Sequence, residues 1–395
     1  MSIPSRASST ASRAKAAGKG LVWDLVRHRT ISLPPSHQAA GRVLLSYITA
    51  PFSSDFKDGS ANHSNLWECS EIARIFQGMG YAVDVIDWDD SDFVPKRGYD
   101  ILIDIHGNME RLAPLVEERC LKVLHVTGSH WLHQNRAEYE RLESIRQRRG
   151  VSLRPRRQVQ PVWGIEAADC ATVLGNDTTL ETWKYAGKRM FRIPATSPIC
   201  PKLNPGKDFS ACKNRFVWLG SSGMALKGLD LVLEAFAGMP DMHLTVCGPV
   251  DAEEDFARAY GEELKRSGNI ESVGWVDVFS DGFHSIADGA VGMVYPSASE
   301  GASIAVLTCT SAGLIPIATN QSGIDISPFG TVLRDASVKS VQDAVKGLSR
   351  LGPDELRSRA AQAHSFVNER HSRKAFTEAY SAAAREMVRM ASERK

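Results

Sequence analysis

The sequence lacks the cysteine pattern, the charge imbalance and the long apolar run that would each fix a protein class. Its seven cysteines include no C-x-x-C pair, which argues against a zinc knuckle or a disulfide framework and fits reduced thiols. Lys and Arg number 47 and Asp and Glu 46, so the net charge of +1 excludes a global field for binding polyanions. No apolar run reaches the roughly 18–20 residues of a membrane span. The 395 residues, 43% of them hydrophobic, therefore predict two or three globular domains.

Residues 1–20 contain no acidic residue and no apolar segment. Without an apolar core this stretch is not a secretory signal, and its basic, Ser/Ala-rich composition favours a disordered tail. An organelle transit peptide has a similar composition. We expect a cytoplasmic protein.

Apolar and β-branched runs alternate with helical patterns in both halves of the chain. Strands are predicted at 42–49, 81–87, 100–106, 121–126, 170–174 and 190–194, and again at 215–219, 243–247, 270–273, 292–295 and 314–318. This rhythm predicts crossover units and parallel sheets, and a Pro/Asn/Gly stretch at 197–213 is the best linker candidate. The sequence therefore predicts an α/β fold with two doubly wound, Rossmann-like domains that face a central cleft.

Four segments occur in a fixed order in the second half. They are FVWLGSSGMALKG (216–228), HLTVCGP (243–249), ESVGWVD (271–277) and VGMVYPSASEGASIAVLTCTSAGLIPIAT (291–319). Their order and spacing resemble the donor-binding half of glycosyltransferase family 4, whose members are retaining enzymes of the GT-B fold. The resemblance covers about residues 213–325 and is weaker in the first half of the chain.

The resemblance implies an acceptor-side domain at 21–197, a donor-binding domain at 198–370 and a C-terminal helix at 371–395 that packs back on the first domain. Two positions depart from the family pattern. The donor-loop arginine, expected six residues before Lys227, is Ser221, and the second glutamate, expected eight residues after Glu300, is Thr308. In the family these two residues help to hold the diphosphate and the ribose, so nucleotide binding is expected to be weaker, rearranged or lost.

Lys227 stands before a predicted helix and after a glycine-containing loop, where free backbone N–H groups and an ammonium would suit a diphosphate. The alternative is a surface lysine beside a tight turn. Glu300 follows Pro-Ser-Ala-Ser, and the resemblance makes it the glutamate that positions the sugar; a helix-terminal acid is the alternative. The remaining donor-binding candidates are Gly220, Ser221, Ser222, Gly248, Val273, Gly301, Ala302, Ser303, Ile304 and Thr308. For Thr308 a packed helix residue is the favoured alternative to a ribose ligand.

His106 and His130 each end a predicted strand and are candidate catalytic residues that would hydrogen-bond the sugar or the acceptor. The alternative for each is a structural histidine. Gly59 and Ser60 lie in a long loop that would approach the donor phosphates, although Asp-Gly-Ser is also an ordinary turn.

Seven arginines fall within residues 141–157: Arg141, Arg146, Arg148, Arg149, Arg154, Arg156 and Arg157. Such a cluster would suit a peripheral membrane contact, a lipid-linked phosphate or an acidic glycan; a solvated loop between helices is the alternative. No aromatic residues are interleaved with these arginines, so the cluster does not indicate a nucleic-acid-binding surface.

The resemblance therefore implies a retaining glycosyltransferase that moves a sugar from a nucleotide-sugar donor to a glycan, lipid-linked or small-molecule acceptor. No cofactor or obligatory metal is expected, since Lys227 and helix N-termini would take the metal's electrostatic role. The alternative is a catalytically impaired GT-B-like protein that binds sugar or nucleotide, or that serves as a scaffold.

Overall fold

The structure is a computed structural model that describes residues 30–53, 64–197 and 203–394. The predictions for the tail at 1–20, and for Gly59 and Ser60, lie outside these residues.

The described residues divide into two compact units. The first comprises residues 30 to 125 apart from 54–63, together with Trp163–Ala171 and the residues from Tyr380 onward. The second comprises Val126–Val162 and the described part of Thr172–Ala379. This division differs from a single boundary near residue 197, because residues 126–162 and 172–197 group with the second unit.

The first sheet is formed by mostly buried apolar strands. Its strands are β1 (Ile31–Leu33), β2 (Gly41–Tyr47), β3 (Tyr81–Asp87), β4 (Ile101–Asp104), β5 (Leu121–Val126), β6 (Cys170–Leu174) and β7 (Arg189–Ile193). Their order is β1-β3-β2-β4-β5-β6-β7, with β3, β2, β4 and β5 parallel. Val43 of β2 pairs with Val83 and Ile101, and all three are fully buried, which explains the apolar runs of the central strands.

Five helices accompany these strands in the described chain: α1 (Ser64–Gly78), α2 (Asn108–Leu112), α3 (Trp131–Arg149), α4 (Gly164–Ala167) and α5 (Asp177–Glu181). The strand predicted at 100–106 ends earlier, at Asp104. The Asp104 carboxylate accepts hydrogen bonds from the amides of His106 and Met109 at 3.1 and 2.8 Å, which turns the chain into α2.

The second sheet is entirely parallel. Its strands are β8 (Arg215–Leu219), β9 (His243–Cys247), β10 (Ile270–Gly274), β11 (Gly292–Tyr295), β12 (Ile315–Ala318) and β13 (Thr331–Val332). Their order is β10-β9-β8-β11-β12-β13, so the chain order reverses between β8 and β11. The carboxyl ends of these two strands form the switch point at which ligands bind in open parallel sheets.

Nine helices complete the described chain: α6 (Phe209–Cys212), α7 (Leu229–Ala237), α8 (Glu254–Ala259), α9 (Gly261–Arg266), α10 (Asp281–Asp288), α11 (Ile304–Ser311), α12 (Val338–Ser349), α13 (Pro353–Arg370) and α14 (Arg373–Ser392). None of the helices described here is long and apolar enough to cross a bilayer. The six cysteines within the described ranges are buried, and no disulfide joins any two of them. The prediction of an α/β fold with two parallel, Rossmann-like sheets is confirmed.

Candidate functional site

Most predicted donor-binding residues lie on two loops of the second unit, one after β8 (residues 220–228) and one after β11 (residues 296–303). We call these the lysine loop and the glutamate loop. The amide of Ala298 donates to the carbonyl of Leu226 at 2.8 Å, and the hydroxyl of Ser297 reaches the same carbonyl at 3.4 Å. The two loops are therefore joined directly at the switch point of the sheet.

Gly220 and Gly248 are required by packing at the ends of β8 and β9. The amide of Gly220 donates to the carbonyl of Cys247 at 3.0 Å, and that of Gly248 donates to Gly274 at 2.8 Å. A Cβ atom on Gly220 would overlap the Trp218 ring, and one on Gly248 would overlap the carbonyl of Gly220. These glycines let the strand ends approach closely, which the sequence pattern alone did not distinguish from a ligand role.

The expectation of free N–H groups across the lysine loop is wrong in part. The buried carboxylate of Glu253 accepts hydrogen bonds from the amides of Gly223, at 2.5 Å, and Met224, at 3.2 Å. The amide of Lys227 donates to the carbonyl of Gly223 at 3.0 Å. Nothing in the local sequence indicates the role of Glu253, because it comes from the segment after β9.

Lys227 is buried, with 8% of its surface exposed, rather than a surface lysine. Burial lowers the pKa of its ammonium, and the charge of Glu300 acts in the opposite direction. Burial thus disfavours the charged form of this lysine while Glu300 favours it, and a buried cation beside a carboxylate is common at functional sites.

Glu300 is half-buried, and both its carboxylate and its backbone carbonyl accept hydrogen bonds. The hydroxyl of Tyr295 donates to its Oε1 atom at 2.9 Å, and the hydroxyl of Ser129 donates to its carbonyl at 2.7 Å. Burial, followed by the charge of Glu300, raises the pKa of Tyr295 well above its usual value. Tyr295 was not among the predicted site residues, although it stands immediately before the Pro-Ser motif.

Gly301 lies where only a glycine fits, because a Cβ atom there would overlap the carbonyl of Thr127. Its own carbonyl accepts a hydrogen bond from Thr179 at 2.8 Å and would overlap a Cβ atom on Gly323, whose φ is +75°. This packing fixes the path of the glutamate loop.

The start of α11 is capped by Ser303, whose hydroxyl accepts from the amide of Val306 at 3.4 Å. The amide of Ser303 donates to Ser322 at 2.8 Å, so it is already used; Ala302 and Ile304 beside it are half-buried. The Thr308 hydroxyl donates to the carbonyl of Ile304 at 2.7 Å, and the residue is 5% exposed. Thr308 is thus a packed helix residue whose hydroxyl proton is committed to the backbone.

The other predicted donor residues of the second unit are more accessible. Ser221 is exposed and Ser222 is half-buried in the lysine loop. Val273, in β10, is 37% exposed.

His130 has a structural role as the N-cap of α3. Its Nδ1 atom accepts from the amide of Leu132 at 3.3 Å, and its Nε2 atom lies 3.1 Å from the hydroxyl of Tyr185. The ring also packs edge-on against Trp183. Both ring nitrogens have protein partners, which favours the structural alternative over the catalytic one.

His106 belongs to the first unit and follows β4. It is half-buried, its ring lies 5.1 Å from that of Trp88, and burial lowers its pKa. Beneath it lies Asp104, a fully buried carboxyl group whose pKa burial raises to about 6. The sequence gives no signal for this role of Asp104, because the aspartate stands within the apolar run that predicts a strand at 100–106.

The arginine cluster is a solvated loop only in part, since α3 contains its first four members and the other three follow in an exposed irregular segment. Five of the seven arginines pair with carboxylates of the same unit: Arg141 and Arg148 with Asp230, Arg146 with Glu143, Arg149 with Glu263, and Arg156 with Asp255. Because carboxylates balance these five charges, the cluster no longer provides an excess of positive charge that would favour a membrane contact.

No group of three or more His, Cys, Asp or Glu side chains within the described ranges is arranged to hold a metal ion.

Residues 213–350 match the family model described as Glycosyl transferases group 1. No curated protein matches the chain. Among solved structures, sucrose-phosphate synthase from Thermosynechococcus elongatus is 15% identical with a TM-score of 0.60, over 89% of this chain and 99% of that one. HepE from Anabaena, solved with UDP-glucose, is 10% identical with a TM-score of 0.57, over 88% and 100%. TarM is 14% identical with a TM-score of 0.50, over 73% of this chain and 54% of that one.

The fold is GT-B. The predicted fold class is therefore confirmed, and the matches support the prediction of a transferase.

Proposed function

We propose that this protein is a retaining glycosyltransferase of the family 4 type. It moves a sugar from a nucleotide-sugar donor to a glycan, a lipid-linked acceptor or a small molecule. The observation that carries this proposal is the placement of Lys227 and Glu300 on two loops that are hydrogen-bonded to each other at the switch point of the second sheet. A cation and a hydrogen-bond acceptor at this position suit the phosphate and sugar parts of one donor.

Each of the two residues has a defined task. As the bond between the anomeric carbon and the phosphate oxygen breaks, negative charge develops on the diphosphate, and the Lys227 ammonium stabilises it. Glu300, oriented by Tyr295, accepts hydrogen bonds from sugar hydroxyls and positions the sugar. The acceptor oxygen bonds to the anomeric carbon on the face that the phosphate leaves, and the leaving phosphate takes the acceptor's proton.

Nucleotide binding is the first test. UDP comes first because HepE was solved with UDP-glucose, and GDP, ADP and their sugar conjugates follow. We expect one nucleotide to raise the melting temperature and to bind in calorimetry, and Lys227→Ala to abolish both effects. Lys213→Ala, an exposed lysine of the same unit, is the matched control. Failure of every nucleotide to bind the folded protein would contradict the proposal.

Transfer is the second test. Glu300→Gln should lower kcat strongly while the nucleoside diphosphate still binds, because the amide replaces a charged acceptor with a weaker one. NMR of the product's anomeric centre tests the stereochemistry, and an inverted product would contradict a retaining mechanism. We expect turnover to persist in EDTA, since Lys227 supplies the positive charge.

A second candidate is a nucleotide- or sugar-binding protein without turnover, and one observation favours it. Glu253 already occupies two amides of the lysine loop, which leaves fewer donors for a phosphate. Nucleotide binding without transfer or donor hydrolysis would support this candidate. The acceptor class, a cytoplasmic location and membrane contact remain predictions.

A further inference from the structure

The side chain of Arg157 lies against the lysine loop, although it comes from a distant part of the second unit. A Cβ atom on Gly223 would overlap Cγ of Arg157 and lie 2.9 Å from its Cδ. Gly223 has a φ of +77°, so this position requires glycine for its backbone conformation as well as for the space that a Cβ atom would occupy. The aliphatic part of Arg157 fills that space.

The backbone around Arg157 is firmly held. Its amide donates to both carboxylate oxygens of Glu138, at 2.9 and 3.1 Å, and its carbonyl accepts from Gln134 at 3.1 Å. Glu138 is 1% exposed, so this attachment is buried. The position of Arg157 over the loop is therefore set by α3 and does not depend on its guanidinium.

The guanidinium of Arg157 differs from those of its neighbours in the arginine cluster. Five of the seven arginines form ion pairs through their guanidinium groups, whereas the guanidinium groups of Arg157 and Arg154 pair with no carboxylate among the residues that the structure describes. Arg157 is exposed, yet its charge acts on the buried Lys227 and Tyr295. The positive charges of Arg157 and Lys227 repel each other, and an anion with several charges bound beside both would relieve that repulsion.

We propose that Arg157 is a binding residue for the donor diphosphate and supplies a second cation beside Lys227. A planar guanidinium can donate two parallel hydrogen bonds to a phosphate, which the exposed Ser221 of the loop cannot do. In this arrangement the second cation, Arg157, comes from the segment after α3 and not from the lysine loop itself. This inference rests on the proposed function, because it assumes that the lysine loop binds a nucleoside diphosphate.

Calorimetry with UDP, GDP and ADP on the full chain tests it. For the nucleotide that binds, Arg157→Ala should raise Kd about tenfold or more, since hydrogen bonds to charged groups are among the stronger ones. The matching nucleoside monophosphate should lose less affinity, because it lacks the second phosphate. Arg154→Ala is the matched control: it removes the other unpaired arginine of the cluster, and Kd should not change.

A rescue separates a charge effect from a folding effect. Ser221→Arg, introduced into the Arg157→Ala variant, returns a guanidinium to the loop and should recover most of the lost affinity. Wild-type affinity in Arg157→Ala, or an equal loss in Arg154→Ala, would overturn this inference and leave the proposed function standing. No binding of any of the three diphosphates to the wild-type protein would overturn both.

Discussion

At the scale of single residues, the lysine loop depends on one carboxylate from another segment. Glu253 holds the amides of Gly223 and Met224, and all three residues are buried. Glu253→Ala would leave two buried donors unsatisfied, so we expect the free energy of unfolding to fall by about 1–3 kcal/mol. Urea unfolding followed by fluorescence measures this. Asp251→Ala, an exposed acid of the same turn, should cost less than ~0.5 kcal/mol, and equal losses in the two variants would contradict the assignment.

Asp104 makes stability depend on pH. Its pKa is about 6 in the folded protein, against 3.8 for a free side chain, so the folded state binds the proton more tightly. Stability therefore falls as the pH rises from about 4 to about 6, because the buried carboxyl group must then ionise.

Asp104→Asn removes this titration and keeps an oxygen that can accept from the two amides. The unfolding free energy of the wild type minus that of the variant should drop by about 2.4 kcal/mol between pH 4 and pH 7. Urea titrations at several pH values measure the difference. Parallel pH profiles for the two proteins would show that Asp104 does not carry the raised pKa.

At the scale of elements, α3 is attached to the rest of the second unit through Arg141. Its guanidinium lies 3.3 Å from Asp230, which is fully buried, and donates to the carbonyl of Pro296 at 3.0 Å. Arg141→Ala would leave Asp230 with only Arg148 as an ionic partner, and we expect a loss of about 3 kcal/mol. Urea unfolding checks this value.

The control for that experiment is Arg146→Ala on the same helix. Arg146 pairs with Glu143 on the surface, and such exposed pairs contribute only about 0.3–0.5 kcal/mol. Because Pro296 begins the glutamate loop, Arg141→Ala should also weaken nucleotide binding, whereas Arg146→Ala should not. A loss of the same size in both variants would mean that the buried pair has no special role.

The elements also show what a sequence can and cannot predict here. Buried parallel strands are continuous apolar runs, so β3, β5, β6, β8, β9 and β11 lie where they were predicted. The helix α3 was missed because it is strongly charged and buries few apolar residues, of which Leu142 and Ile145 are two. Three of its arginines, Arg141, Arg148 and Arg149, pair with acids far away in the sequence, and no local pattern carries that information.

The candidate site divides in the same way. Lys227 and Glu300 could be found because they stand within ordered motifs next to strand ends. Glu253, Arg157 and Tyr185 reach their partners through the tertiary fold, so the spacing of residues gives no signal for them. For His130 the sequence could not favour the structural alternative for the same reason, since Tyr185 reaches its ring only through the tertiary fold.

At the scale of the whole molecule, the described residues that we assign to the donor belong to the second unit. They come from three stretches far apart in the chain: residues 153–158, of which Arg157 is the assigned residue, the lysine loop at 220–228 and the glutamate loop at 296–303. A nucleotide that contacts all three should restrict local opening of their backbones together, although they are separated by about 60 residues or more in sequence.

Hydrogen–deuterium exchange measured by mass spectrometry can test this on the intact protein. With saturating UDP, or whichever diphosphate binds, we expect slower exchange in peptides from these three stretches. In Arg157→Ala, peptides from 153–158 should lose more of their protection than peptides from the two loops, because that stretch reaches the nucleotide only through this side chain. Arg154→Ala should behave like the wild type. Protection confined to first-unit peptides such as 101–112 would place the nucleotide elsewhere and contradict a donor site on the lysine and glutamate loops.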